Sequence, residues 1–541
     1  MNMDYTTKIS GNIVDPVNAQ VYSGTLVIED GMIMAIIRED QDYPNYLIPG
    51  LVDAHVHIES SMLVPSEFAG LAVTHGTVAV VSDPHEIANV LGIEGVRYMI
   101  ENGKKVPFKF YFGAPACVPA TGFETAGAEL DSTQLEEMFQ KDGLSFLSEM
   151  MNYPGVLGND PEVMAKLAVA RKFQKPIDGH APGLKGEELK KYTQAGITTD
   201  HEAFQFEEGL AKIKAGMKIL IREGSAAKNF EELHGLIPYY PDKCMFCCDD
   251  KHPNDLVRGH INELVKRALG KGYDKMKVLQ CATVNPVQHY GLAVGLLQKG
   301  DPADFIVVDD FERFTILETY INGILVAKAG KSLIPKTQTK VINNFKAKPK
   351  MPFDFAVKAG RKEIDVIEVI EGELITNWLR VSPKVEDGYL RSDPEQDLLK
   401  IAVINRYQEK PPAVAFIKNF GLKHGAIASS VAHDSHNLVA IGVLDEDLAR
   451  AVNLVIENRG GLAVVGEGFE DFLPLPVGGL MSLEDGHRVA ADYERIAAKA
   501  RLLGTKLSDA FMTMSFMTLL VIPELKISDQ GLFDGKDFQF I

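Results

Sequence analysis

GLVDAHVH, residues 50–57, is an apolar run that ends in two histidines separated by one residue. A short apolar run of this kind is typical of a strand in a buried parallel sheet. Side chains at positions i and i+2 of an extended strand project to the same side, so His55 and His57 can bind one metal ion together. The segment therefore predicts a buried strand with a metal site at its end.

Seven further strand candidates follow in the order expected of repeated β–α units. They alternate with amphipathic stretches such as 160–174, 186–196 and 206–216, several of which end in the Gly typical of a helix stop. Eight such units over roughly 240 residues predict an α/β fold, a (β/α)8 TIM-like barrel at residues 50–294. The eight predicted strands are 50–57, 77–83, 108–115, 144–150, 175–181, 197–202, 218–225 and 243–250.

The segments on both sides of the barrel consist of short strand patterns punctuated by Gly and Pro. We predict that residues 1–49 and 295–340 form the two halves of one small β-sandwich domain. Residues 335–352 combine Pro with several Lys and predict a linker. Residues 353–541 predict a C-terminal α/β or α+β domain.

The composition argues against a nucleic-acid-binding protein, a membrane-spanning protein and a disulfide-rich secreted protein. With 46% hydrophobic and 24% charged residues among 541, the chain is close to the globular average. Its formal net charge of −18 would repel a phosphate backbone, so nucleic acid is not expected as a partner. No apolar run reaches the roughly 18 residues of a spanning helix, so no membrane partner is expected. The odd number of cysteines, five, is a poor disulfide framework and predicts a cytoplasmic protein.

Side chains with metal-ligand chemistry lie at the ends of five predicted strands, and reactive groups of this barrel type collect at the carboxyl ends of the strands. Four imidazoles and two carboxylates are enough for two divalent cations, with one carboxylate bridging them. Two such ions would lower the pKa of a shared water, so the predicted reaction class is hydrolysis. The predicted ligands are His55, His57, Glu149, His180, His201 and Asp249.

Several of these assignments have alternatives. A single His at a strand end is more often a hydrogen-bonding residue than a metal ligand, and Glu149 could form a salt bridge at the barrel rim instead. Asp250 competes with Asp249 for the last position. His433 and His436, in AHDSHN, could form a further metal site or reach over the barrel mouth, although a structural role or a turn is the stronger interpretation.

Five segments together resemble the adenine deaminase family of the amidohydrolase superfamily. The resemblance covers the barrel and both flanking β-segments, and the region from 353 onward resembles the extra C-terminal domain of that family. PGLVDAHVH by itself indicates only the superfamily, whereas SDPHEIANV and the position of Glu149 narrow it. The five segments are IPGLVDAHVHIESSM (48–62), SDPHEIANVLG (82–92), SEMMNYPGV (148–156), DGHAPGL (178–184) and CCDDKHP (247–253).

The resemblance implies hydrolytic deamination of adenine to hypoxanthine and ammonia, in purine salvage. It implies two divalent ions, with Mn2+ expected first and Fe2+ or Zn2+ as alternatives. His55 and His57 would bind the first ion and Glu149 would bridge. The second ion would take the histidines at the ends of strands 5 and 6, His180 and His201.

The resemblance gives Asp249 a role in catalysis, and position on the same barrel rim suggests further residues of the site. Asp249 would be a metal neighbour and proton shuttle. His85 and Glu86, after strand 2, could orient the purine or protonate a ring nitrogen, or they could cap the following helix instead. Further donors and acceptors for a purine edge are Glu59, Ser60, Arg222, Ser225 and Lys228.

Two other functions stay open. A cyclic-amide hydrolase of the same superfamily would release a ring-opened acid and no ammonia; Glu149, where many binuclear members have a carboxylated Lys, weakens this alternative. A catalytically inactive binding protein should lack ligand positions, and here every position is filled. The expected partners are adenine and water, and we expect a homo-oligomer.

Overall fold

A closed ring of eight short parallel strands forms the centre of the fold. Strands β1 to β5 pair in chain order, and so do β6 to β8. Thr198 N donates to Ile177 O (3.0 Å) between β5 and β6, and a parallel bridge from Val56 to Asp249 joins the last strand to the first. The strands are β1 (Leu51–Val56), β2 (Thr77–Ser82), β3 (Lys109–Ala114), β4 (Phe146–Met150), β5 (Ile177–Gly179), β6 (Thr199–Asp200), β7 (Lys218–Arg222) and β8 (Cys244–Cys247). The predicted barrel is confirmed.

The barrel strands are apolar because both of their faces are covered. Every residue of β1, β2, β4 and β8 is buried, and β-branched side chains dominate β2, TVAVVS. The helix predicted at 160–174 is found at Pro161–Lys172, where the Asp160 side chain accepts from the backbone N–H groups of Glu162 and Val163. The other α-helices between β1 and residue 290 are Pro65–Ala72, His85–Leu91, Ile93–Gly103, Ser132–Lys141, Tyr153–Gly158, Gly186–Gln194, Phe206–Lys214, Phe230–Leu233, Pro253–Arg258, Ile261–Gly270, Lys275–Ala282 and Val284–Tyr290.

The two flanking segments contribute strands to a single eight-stranded sheet. Tyr46–Pro49 joins the halves, since it pairs in parallel with Thr7–Asp15 and antiparallel with Phe305–Val308. Leu26, Leu47 and Phe305 pack in the core of this sheet. Its strands are Thr7–Asp15, Gln20–Glu29, Met32–Arg38, Tyr46–Pro49, Phe305–Val308, Ile316–Ile321, Ile324–Lys328 and Lys331–Ser332. Residues 333–351 have no regular secondary structure.

The structure is a computed structural model that describes residues 6–360 and 362–541. The chain divides into two compact units. The first, called the barrel unit here, extends to Pro84 and includes Arg97–Ala116 and Asp131–Gln338; the second comprises His85–Val96, Cys117–Leu130 and Thr339–Ile541. No helix in the described ranges is both long enough and apolar enough to cross a membrane.

The second unit is a mixed α/β structure, as predicted for the C-terminal region. Helix Asp445–Glu457 packs Leu448 and Val452 against its main sheet, and two further helices from the C-terminal part of the chain are Gly486–Leu502 and Ala510–Ser515. In spatial order, the eight strands of that sheet are Thr376–Val381, Ile364–Val369, Ala413–Lys418, Leu398–Ile404, Leu438–Gly442, Ala426–Ser429, Gly461–Gly466 and Phe469–Pro474. Two three-stranded sheets comprise Val357–Lys358, Tyr389–Arg391 and Lys384–Glu386, and Leu525–Ser528, Gly531–Asp534 and Gln539–Phe540.

Candidate metal centre and active site

The six predicted ligands lie together at the carboxyl ends of the barrel strands, all within the barrel unit and all buried. They lie together although they come from five strands, because the parallel strands of a closed barrel all end on one common rim. His55 lies in β1 and His57 directly follows it. Glu149 lies in β4, and the remaining three follow β5, β6 and β8 within two residues: His180, His201 and Asp249.

Glu149 directs its two carboxylate oxygens at different histidine pairs. Its Oε1 lies 3.2 Å from His57 Nε2 and 4.0 Å from His55 Nε2. Its Oε2 lies 2.7 Å from His180 Nδ1 and 3.2 Å from His201 Nε2. A carboxylate with this arrangement can bridge two cations, each held by its own pair of imidazoles.

The two carboxylate oxygens of Asp249 have different partners: one faces His55 and His57, and the other binds the guanidinium group of Arg222. Its Oδ1 lies 3.2 Å from His57 Nε2 and 3.4 Å from His55 Nε2, and its Oδ2 accepts from Arg222 Nη1 at 2.5 Å. The residue has φ +58°, a left-handed conformation that Asp and Asn adopt more readily than other non-glycine residues. Asp249 therefore faces the first pair with one oxygen and is held by the other.

The histidines have ring nitrogens available for metal binding. His57 Nδ1 lies 3.1 Å from the carbonyl oxygen of Asp83, which can only accept, so in the neutral ring Nδ1 carries the proton and Nε2 keeps its lone pair. Within the described ranges neither ring nitrogen of His55 makes a hydrogen bond of acceptable geometry, although the residue is fully buried. This mixed nitrogen and oxygen donor set fits divalent manganese, iron or zinc.

Opposite charges determine the ionisation of the site. Burial favours the neutral acid of Glu149, but His201 and His180 outweigh it and hold its pKa well below the ordinary value. Burial likewise opposes ionisation of Asp249, and Arg222 and His201 outweigh it, so that its pKa is also far below normal. Both carboxylates are therefore ionised at neutral pH.

A buried pair that the sequence analysis did not identify supports this site. Arg222 is only 1% exposed; its Nη1 donates to Glu202 Oε1 and to Asp249 Oδ2, both at 2.5 Å. Glu202 Oε1 also lies 3.4 Å from His201 Nε2. Arg222 is therefore committed to two carboxylates, whereas the sequence suggested that it reads a purine edge. The available signal for Glu202 was its position directly after His201.

Arg222→Met should destabilise the barrel unit by about 3–5 kcal/mol, because it leaves two buried carboxylates without their cation. Urea unfolding of wild type and variant measures this difference. Arg450→Met is the matched control, since Arg450 pairs with Glu470 on the surface, and it should change stability by less than about 1 kcal/mol. Equal effects of the two substitutions would show that Arg222 does not neutralise the site.

His85 and Glu86 belong to the second unit, where Glu86 lies in the first turn of helix His85–Leu91. Glu86 Oε1 accepts from His433 Nδ1 at 2.6 Å, and Oε2 contacts His436 Nε2. His436 Nδ1 accepts from the backbone N–H of Ala432, so the neutral ring carries its proton on Nε2 and donates to Glu86. This tautomer favours hydrogen bonding over metal binding at His436.

Known proteins match the whole chain. Residues 46–326 match the amidohydrolase family, and residues 373–539 match the adenine deaminase C-terminal domain. The chain is 52% identical over 541 residues to adenine deaminase of Salinibacter ruber, covering 100% of this chain and 99% of the relative. It is 54% identical over 535 residues to adenine deaminase of a Sulfurovum species, covering 99% of each. These matches include both the barrel and the C-terminal region, and the chain belongs to the adenine deaminase family of amidohydrolases.

Proposed function

We propose that this protein hydrolyses adenine to hypoxanthine and ammonia. The observation that carries the proposal is the carboxylate of Glu149, whose two oxygens face two separate histidine pairs. The three nearest imidazole nitrogens lie 2.7–3.2 Å from these oxygens. The choice of adenine as substrate is supported by relatives named adenine deaminase, which are about half identical to this chain over its full length. The reaction consumes one water and releases the exocyclic amine as ammonia.

We propose two divalent ions, Mn2+ first, with Fe2+ or Zn2+ as alternatives. His55 and His57 would hold one ion with Asp249 beside it, and Glu149 would bridge. His180 and His201 would hold the other. When bound, such ions lower the pKa of a water molecule and make hydroxide available at neutral pH.

Asp249 is the proposed proton carrier. Its ionised carboxylate can accept the proton of the attacking water and deliver it to the amine that leaves C6. Arg222 holds Oδ2, so Oδ1 is the oxygen that faces the histidines and exchanges the proton. This division keeps the proton transfer at one defined atom.

His85 and Glu86, which follow strand β2 in the chain, are proposed to contact the purine. Burial opposes ionisation of Glu86, but His433 and His436 outweigh it and hold its pKa well below the ordinary value. An ionised Glu86 can accept a hydrogen bond from a purine N–H group and so orient the base. Protonation of a ring nitrogen would then fall to His85.

The test is reconstitution of metal-free protein with Mn2+, Fe2+ or Zn2+, followed by ultraviolet detection of hypoxanthine and parallel measurement of ammonia. Metal-dependent release of one ammonia per hypoxanthine is the expected result. A ring-opened acid without ammonia would favour a cyclic-amide hydrolase. Protein that binds two ions but turns over no substrate would support the inactive binding protein, and protein that binds none would contradict the mechanism.

Metal binding should release protons at pH 7. Burial opposes protonation of His180, but Glu202 and Glu149 outweigh it and raise its pKa to about 9, so metal must displace that proton. Affinity should therefore fall as the pH falls. Calorimetric titration of Mn2+ into metal-free protein, in buffers of different ionisation enthalpy, counts the protons.

His180→Asn should lower that count by about one proton per chain. The control is His289→Asn, since burial lowers the pKa of His289 to about 3 and leaves it neutral at pH 7. A proton count unaffected by His180→Asn would exclude His180 as a ligand.

The cysteines support a cytoplasmic location. All five are free and buried. Burial raises the pKa of Cys244 to about 12, so this thiol is neutral and unreactive at physiological pH. Free thiols of this kind are typical of a reducing compartment.

A further inference from the structure

Asp53 connects the first and last strands of the barrel. It lies in β1, two residues before His55, and is fully buried. Its Oδ1 accepts from the backbone N–H of His55 at 3.2 Å and from that of Cys248, directly after β8, at 3.1 Å. One oxygen of Asp53 therefore ties the two strands together.

The other oxygen of Asp53 faces His260, although in the described part of the chain neither Asp53 Oδ2 nor His260 Nε2 makes a hydrogen bond of acceptable geometry. Asp53 Oδ2 lies 2.9 Å from His260 Nε2, and His260 Nδ1 lies 2.6 Å from Thr77 Oγ1 at the start of β2. All three side chains are 0–1% exposed. The contacts form a continuous buried chain from Thr77 through His260 and Asp53 to the two backbone N–H groups.

This chain of contacts ends at the backbone segments that carry three of the proposed metal ligands, His55, His57 and Asp249. Asp249 N donates to His55 O at 2.9 Å, and His57 N donates to Asp249 O at 3.3 Å. The backbones that carry these three ligands are therefore interlocked, and a shift of β1 against β8 would change the separation of their side chains. A metal ion requires ligand distances within about 0.2 Å of its preferred values.

We propose that Asp53 and His260 are positioning residues for the metal centre, keeping β1 and β8 in register so that His55, His57 and Asp249 meet one ion. The inference rests on the proposed metal centre and adds residues that contact neither the ion nor the substrate. His260 lies outside the five short segments on which the sequence resemblance depends.

A separate ion held by Asp53, His260 and Cys248 is the competing interpretation, since their ligand atoms lie within 4.8 Å of one another. Structural zinc ions almost always have four ligands, whereas this group supplies three, and Asp53 Oδ1 already accepts two N–H groups. The contacts therefore favour positioning.

Two substitutions separate the two sides of the His260 ring. In His260→Asn the amide replaces Nδ1 and keeps the Thr77 contact but loses Asp53, whereas in His260→Gln the longer amide reaches the position of Nε2 and keeps Asp53. Relative to wild type, we expect the Kd for Mn2+ to rise about 10–100-fold in His260→Asn and less than about threefold in His260→Gln. Chelator competition on metal-free protein measures this Kd, and excess Mn2+ should restore kcat in His260→Asn.

His289→Asn is the control, because His289 also pairs with a threonine, Thr198, and is not one of the six ligands. Its Kd should equal that of wild type. If His260→Asn does not fold, Thr77→Val removes only the outermost contact and should weaken binding in the same direction by a smaller factor.

The outcomes distinguish this inference from the proposed function. Wild-type protein that binds no ion would overturn the proposed function. Two ions in wild type with the same Kd in His260→Asn would overturn positioning alone. Three ions in wild type, one of them lost in Cys248→Ser, would replace positioning with a separate ion.

Discussion

Glu149→Gln is expected to lower kcat for adenine by more than about 1,000-fold, because water without bound metal has a pKa near 15.7 rather than about 7. The amide has one oxygen and no charge, so it cannot serve both histidine pairs, three members of which lie 2.7–3.2 Å from the carboxylate oxygens and the fourth 4.0 Å away. Metal content should fall from two ions per chain to one or none. Elemental analysis beside the ammonia assay measures both quantities.

The control for this substitution is Glu137→Gln, which removes a carboxylate paired with Lys141 on the surface of the barrel unit. It should leave metal content and kcat unchanged. Two bound ions together with the activity loss in Glu149→Gln would mean that Glu149 acts in catalysis without bridging. Full activity would remove it from the site.

Asp249→Asn should lower kcat by about 100- to 10,000-fold, the range attributed to a positioned proton carrier. Asn fits the left-handed backbone at this position and can still accept from Arg222, so the fold should be retained. The amide cannot take a proton from water. Because Arg222 and His201 outweigh the burial that opposes ionisation and keep the pKa of Asp249 low, the deficit should be constant from pH 6 to 9.

The adjacent acid provides the matched control. Asp250 Oδ1 accepts from Ser60 Oγ, and the sequence alone left Asp250 as a competitor for the catalytic position. Asp250→Asn should change kcat less than tenfold. A larger effect of Asp250→Asn than of Asp249→Asn, measured by ammonia release at saturating Mn2+, would exchange the two assignments.

The barrel was predictable because its signal is local. Each strand is an apolar run bounded by turns, and the observed bounds lie within three residues of the predicted ones. The candidate ligands were predictable for the same reason, since the rule that places reactive groups at strand ends needs only the strand positions. The assignment of His85–Val96 and Cys117–Leu130 to the second unit was not predictable, because periodicity carries no information on which distant segment covers a helix.

The sequence by itself determined the strand order, the candidate ligands and the class of chemistry, all from spacing along a few residues. Only the tertiary structure decided which atoms face each other: the two oxygens of Glu149, the commitment of Arg222 to Asp249 from 27 positions away, and the contact of Asp53 with the backbone of Cys248 across 195 positions. These pairings arise when the barrel closes and brings β8 against β1. A buried charge must then find its partner among the groups that closure places within hydrogen-bond distance, and that distance is not encoded in any local pattern.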